Sequence, residues 1–253
     1  MPLATSGPRK SFKGMRQLPL PPKFGYDPGA ARGRLLHRPT ADLSRPTPRP
    51  GLHPLALNHD RDGLLYLPVA HEARSPAPLI LMLHGAGADA HDVLPTLQSL
   101  ADALDIVLLL PESRSHTWDL LGPGYGPDVQ FIDRALDALF SRVRIDPARV
   151  AIAGFSDGGS YALSLGLANG DLFTHVLAFS PGFAVVDEQV GRPHIFISHG
   201  RDDRVLPVDA CSRTLVPRLE KAGYDVKYHE FEGGHAVPEY IAGEAADWFV
   251  SEE

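Results

Sequence analysis

Five short apolar runs constrain this chain more than any other feature: PLILMLHG (78–85), IVLLLPES (106–113), RVAIAGFS (149–156), HVLAFSPG (175–182) and PHIFISHG (193–200). Each has the length of a strand, and each is apolar on successive residues rather than on alternate ones, so both faces of the strand must be covered. Between the runs lie amphipathic segments of helical period. The expected fold class is therefore α/β, a mostly parallel central sheet with helices on both faces. Helices are predicted within 92–104, near 127–141, from 158 to about 168, from Pro207 to about 221 and near 238–250. DVKYHEFEGG (225–234) supplies a last strand. Upstream, 54–57 and 64–69 read as strands joined at Asp62-Gly63, a pair that favours a tight hairpin turn. NHDRDG (58–63) imitates the start of a calcium loop, but its twelfth position falls on Val69 and strands flank it, so no calcium is expected.

With 253 residues and 43% hydrophobic content the chain can bury a large core. One cysteine, Cys211, excludes an internal disulfide and reads as a small buried hydrophobe, so the cytoplasm is the default compartment. No run approaches the roughly 20 apolar residues of a membrane span. RKSFKG (9–14) faintly resembles a twin-arginine signal, yet MRQLPLPPKF follows where an apolar stretch should be. Residues 1–50 hold ten Lys and Arg against two acids, whereas 51–253 hold fourteen against twenty-nine, and ten of the 24 prolines fall in the first stretch. The expected organisation is a Pro/Arg-rich basic arm over 1–50, extended or partly disordered, and a catalytic domain over 51–253. A solvated tail or a strap across the acidic body is the expected role of the arm, with contact to nucleic acid or anionic lipid as the rival; nucleic acid is not an expected partner. Nothing in the sequence specifies an oligomeric state.

In such a sheet the loops at the C-terminal strand ends build the site, and every run above ends in polar or glycine-rich sequence. Gly154-Phe155-Ser156-Asp157-Gly158 fits G-x-S-x-G. A chain this rich in Gly and Ser carries that pattern by chance about once in seven or eight, so its setting matters more. VAIAG reads as a buried strand and YALSLGLA as a helix, which puts Ser156 on a sharp strand-to-helix turn, where glycines at 154 and 158 leave room for neighbouring backbone.

A serine hydroxyl needs a base within reach, and the base needs an acid to hold its tautomer. HGRDDRVLP (199–207) offers Asp203, with Asp202 as the rival, and EGGHAVP (232–238) offers His235 in a loop after the last strand. His229 falls inside that strand and is expected to face solvent or the sheet. His84 and His199, each before a glycine at a strand end, are expected to brace loops. An oxyanion hole needs two amides: the N–H of Asp157 at the start of a helix, and that of Ala86 within HGAG (84–87).

Together HGAGAD, GFSDGG, HGRDDRVLP and GGHAVP resemble the α/β-hydrolase superfamily, in particular its phospholipase/carboxylesterase group, which includes acyl-protein thioesterases, over about residues 55–250. The resemblance implies a Ser156, Asp203, His235 triad, oxyanion amides at Ala86 and Asp157, and a serine hydrolase of carboxylic esters with no metal or cofactor. A thioesterase or lysophospholipase would use the same triad. Asp157 departs from relatives that often carry Gln, Asn or Met, and its carboxylate is expected to disfavour anionic substrates. Only nine residues separate SPGF (180–183) from PHIFISHG, too few for a helical lid, so an open cleft for short- to medium-chain or aromatic esters is expected. Trp118, Tyr125, Phe155, Phe183 and Val237 are the candidate pocket walls. Two rivals remain. PLILMLHGAGADA fits the strand-G-x-G-x-x-A of a dinucleotide-binding oxidoreductase, against which stands Pro95 in the following helix. A non-catalytic binding protein on the same fold leaves the three triad candidates without purpose.

Overall fold

The computed structural model describes residues 29–73, 75–121 and 124–251. Eight strands, β1 (Gly51–Pro54), β2 (Gly63–Leu67), β3 (Ala77–Leu83), β4 (Val107–Pro111), β5 (Ile145–Phe155), β6 (His175–Phe179), β7 (His194–Gly200) and β8 (Val226–Phe231), form one sheet in the order β1-β2-β4-β3-β5-β6-β7-β8. β1 and β2 run antiparallel at one edge, and β4, β3, β5, β6, β7 and β8 are mutually parallel. All seven residues of β3 and all five of β4 and β6 are buried, as double-sided covering requires.

The alternation of strand side chains divides the core in two. Leu79, Leu81 and Leu83 of β3 pack with α2 (Pro127–Phe140), α3 (Asp157–Ala168) and α4 (Ser212–Lys221). Ile80 and Met82 point the other way, toward α1 (Ala90–Leu104) and α5 (Glu239–Ser251). α1 opens on a capping box: Asp89 accepts from the N–H groups of His91 and Asp92, and the Asp92 carboxylate accepts from the N–H of Asp89. Pro127 begins α2 at its first turn, where a missing N–H costs nothing.

Two elements differ from the sequence expectation. The hairpin is not closed tightly at Asp62-Gly63. β1 ends at Pro54, and the loop 55–62 folds around the Asp62 carboxylate, which accepts from the N–H groups of Ala56, Leu57 and Asn58 and so removes them from the strand. α4 begins at Ser212 rather than Pro207, because 207–211 form turns closed on the Pro207 carbonyl.

Of the basic stretch, residues 1–28 lie outside the described residues. From Gly29 onward the chain lies on the body: Leu35 is buried and its N–H donates to Asn169, while Arg34 and Arg38 both pair with Asp171 just after α3. No helix among the described residues is long and apolar enough to cross a membrane.

Candidate active site

β5 ends in a turn that holds Ser156 at φ 58°, ψ −118°, a strained conformation for a residue with a side chain. The turn is this sharp because its neighbours lack side chains. A Cβ on Gly154 would overlap the carbonyl of Gly158, and one on Gly158 would overlap those of Leu83 and His84. The N–H of Ser156 donates to Phe179 O of the adjacent strand at 2.9 Å, which fixes the turn against the sheet.

Three strand ends converge on the hydroxyl. Ser156 Oγ lies 2.8 Å from His235 Nε2, and His235 Nδ1 lies 2.6 Å from Asp203 Oδ2. Nδ1 therefore carries the proton and Nε2 is left to accept from the serine. Burial alone would raise the Asp203 carboxyl; the N–H of Leu206, the His235 ring and the N–H of Val205 outweigh it and hold the group below the usual carboxylate range. Asp202, the rival acid, is exposed, and its backbone instead donates to Gly233 O, tying the acid loop to the histidine loop. His229 pairs with Glu244 on the helix behind the sheet, away from this site.

His199 and His84 do brace loops. His199 is fully buried: its Nε2 faces Leu206 O at 2.7 Å and Asp203 Oδ2 at 3.3 Å, and its Nδ1 meets the Ser212 hydroxyl at 2.7 Å. His84, equally buried, accepts at Nε2 from Ser113 N–H (3.0 Å) and from Arg61 (3.2 Å), and donates from Nδ1 to Gly85 O (2.8 Å). Burial lowers the pKa of both rings and keeps them neutral.

The chain after His84 runs beside Ser156: a Cβ placed on Gly85 would stand 3.6 Å from Ser156 Cβ. Asp157 is the first residue of α3, so its N–H has no acceptor within the helix and lies at the positive end of the dipole. Its carboxylate accepts from the Thr117 hydroxyl and from Trp118 N–H at 3.0 Å. Those two contacts tie the start of α3 to the loop 113–118. A different acid, Asp92, lines the cavity beside Ser156.

That cavity has a volume of about 480 Å³ and is lined by Gly85, Ala86, Ala88, Asp92, Val93, Thr96, Phe155, Ser156, Val205, His235 and Val237. Phe155 and Val237 fall where the sequence put them; Phe155 also packs against the His235 ring, centroids 4.7 Å apart. Trp118, Tyr125 and Phe183 do not line it. Trp118 is fully buried under the HGAG loop, donating Nε1–H to His84 O at 2.8 Å and lying between the His84 and Tyr161 rings. Tyr125 packs edge-on against Tyr161 and donates its hydroxyl to Val185 O. Phe183 sits in a segment stitched to α3 by the Ser160 and Ser164 hydroxyls, which accept from Gly182 and Val185 N–H. Residues 184–192 contain no helix. The walls that sequence reasoning missed, Asp92, Val93, Thr96 and Val205, stand directly after two of the motifs, HGAGAD and HGRDD; that adjacency was the available signal.

The model of the family described as "Putative esterase" matches residues 55–243. The "Probable feruloyl esterase C" of Aspergillus oryzae is 28% identical over 220 residues, 78% of this chain and 79% of that protein. The "Putative esterase NocK" of Nocardia uniformis subsp. tsuyamanensis is 30% identical over 146 residues, 53% of this chain but 42% of its own length, so the chain matches under half of that relative. Among solved structures, esterase PE8 superposes with a TM-score of 0.60 at 24% identity, covering 74% of this chain and 97% of that one, a likeness of fold.

Proposed function

Since the chain belongs to the esterase family, we propose that it hydrolyses carboxylic esters through Ser156, His235 and Asp203 by way of an acyl-enzyme. The observation that carries the reading is the unbroken relay from Asp203 through His235 to Ser156, at 2.6 and 2.8 Å, opening into a cavity.

Ser156 Oγ attacks the ester carbonyl as its proton passes to His235 Nε2. The oxyanion is received by the N–H groups of Ala86 and Asp157, and Asp203 balances the imidazolium. His235 then gives the proton to the leaving alcohol. In the second half the same imidazole takes a proton from water, which attacks the acyl carbonyl, and returns it to Ser156 Oγ as the acid departs. No cofactor enters this sequence.

Substrates are short- to medium-chain or aromatic esters. Phe155, Val93, Val205 and Val237 give the cavity apolar walls, and its 480 Å³ suits one aryl or short acyl group. The resemblance to a feruloyl esterase is consistent with an aromatic acyl group. The cytoplasm remains the compartment proposed, on the single, buried Cys211.

The test is a panel of aryl and alkyl esters of rising acyl length, with thioesters alongside, on the wild type and Ser156→Ala, together with labelling by a fluorophosphonate. Ser156-dependent turnover and labelling, with the optimum at short or aromatic acyl groups, is expected. Wild-type turnover that survives Ser156→Ala overturns the mechanism, and a maximum confined to long chains overturns the substrate assignment.

A further inference from the structure

We infer that Arg61, which the chemistry above does not use, is a positioning residue that holds the oxyanion loop in its receiving geometry. The inference rests on the reading that Ala86 N–H receives the oxyanion. Arg61 belongs to the loop between β1 and β2, outside the parallel strands that carry the triad. Two features deliver it to the site: the Asp62 carboxylate shapes its loop, and β2 pairs with β4, with Gly63 opposite Pro111 and Glu112 N–H donating to Asp62 O.

Its guanidinium then meets both ends of the HGAGA segment. Nη2 donates its two hydrogens to Ala88 O at 3.0 Å and His84 Nε2 at 3.2 Å, with Ser113 Oγ a third neighbour at 3.3 Å, and Nε donates to Ser113 O. The N–H of Ala86 therefore lies between two residues, 84 and 88, tied to one rigid, planar cation. Within the segment, Ala88 N–H returns to Gly85 O at 3.2 Å, and Gly87 N–H donates to His116 O at 2.7 Å, leaving little freedom for 85–87 once the ends are fixed. A lysine offers one nitrogen and cannot reproduce the fork. The guanidinium also presents a donor to His84 Nε2, which keeps that nitrogen an acceptor and the Nδ1–H directed at Gly85 O. An amide displaced by even part of an ångström loses much of its value to a developing oxyanion, since that interaction exists only in the transition state.

The experiment compares wild type, Arg61→Ala and Arg61→Lys on an activated aryl ester, with kcat and KM separated. It also measures affinity for a trifluoromethyl ketone, whose adduct on Ser156 carries an oxyanion, and thermal midpoints. Arg61→Ala is expected to lower kcat about 10- to 100-fold with KM within about threefold, and to weaken the ketone in parallel. Arg61→Lys falls between, and added guanidinium restores part of the activity of Arg61→Ala without affecting wild type. Should Arg61→Ala fail to fold, Arg61→Lys is judged by the same kcat and ketone readouts. A kcat within twofold of wild type, a loss confined to KM, or a fall in kcat with ketone affinity unchanged overturns the inference. An active wild type with indifferent Arg61 variants sinks this inference alone, whereas turnover that survives Ser156→Ala brings down the proposed function with it.

Discussion

His84-Gly85 directly follows β3 and His199-Gly200 ends β7, two parallel strands that flank β5 and its Ser156 turn at different removes, and the two dipeptides solve opposite problems. Both rings are fully buried, neutral and satisfied at both nitrogens. At His84 Nε2 accepts, and in the proposed mechanism the loop beyond it presents amide hydrogens. At His199 the same nitrogen donates, to Leu206 O and toward Asp203, and the loop beyond it must present a carboxylate. One residue type before a glycine at the C-terminal rim of the sheet thus supports a donor loop or an acceptor loop, according to which tautomer its neighbours select. The difference lies in those neighbours: a guanidinium and a backbone N–H at His84, a carbonyl and a serine hydroxyl at His199.

The comparison breaks most severely at Asp203. Asp203→Asn should lower kcat by about 10⁴-fold, because the amide can no longer fix the Nδ1–H tautomer of His235, while Asp202→Asn stays within about twofold; equal losses in steady-state assays would mean that the acid is misassigned. Next come the bracing rings. His84→Ala and His199→Ala each leave buried partners unsatisfied, and each should cost about 1–3 kcal/mol of stability by denaturant titration. They should part in their effect on chemistry, since only His84→Ala should weaken a trifluoromethyl ketone in proportion to kcat. A smaller effect is expected at Asp92, the acid that actually lines the cavity. Asp92→Asn should raise kcat/KM for an acyl group bearing a carboxylate several-fold over its neutral counterpart at low salt, and the gain should fade as salt screens the exposed charge.

The smallest effect lies outside both loops and serves as their reference. Burial alone would raise the Asp171 carboxyl, but hydrogen bonds from Arg34 and Arg38 bring it down to about 2. A depressed carboxyl stabilises the fold above its unfolded value near 3.8 and loses that contribution as pH falls through about 2. The double variant Arg34→Ala, Arg38→Ala should therefore melt slightly below wild type at pH 7, with the gap closing as the pH drops from about 4 to about 2. Its kcat should be unchanged. A gap in melting temperature that persists at the acid end would mean that the arginines hold the strap through backbone carbonyls, Arg34 through Ala168 O among them, and not through the Asp171 charge.

The parallel strands and the elements carrying the relay were legible because hydrophobic runs and short motifs are local. Ser156 and His235 each sit in a glycine-flanked loop after a strand, and spacing alone delivers them to one rim. What sequence conveyed less well was which way a loop side chain turns. Trp118 and Tyr125 stand in a loop at the correct rim, yet they point inward, because an indole N–H had a buried carbonyl to reach at His84 and Tyr125 had an aromatic neighbour in Tyr161. Asp157 turned for a comparable reason, finding two donors in Thr117 and Trp118. Arg61 was unreadable for another cause: its neighbours, Ala88 and Ser113, become neighbours only when β2 pairs with β4, and that pairing is long-range.

The strained backbone at Ser156 carries an implication for engineering. A residue without a side chain occupies that corner of conformational space freely, so Ser156→Gly should give an inactive chain that melts above both Ser156→Ala and the parent. In the proposed mechanism the nucleophile would then be a position at which heat tolerance has been sacrificed for reactivity, and a variant library sorted on thermal survival alone would tend to discard the hydroxyl that the proposed turnover uses.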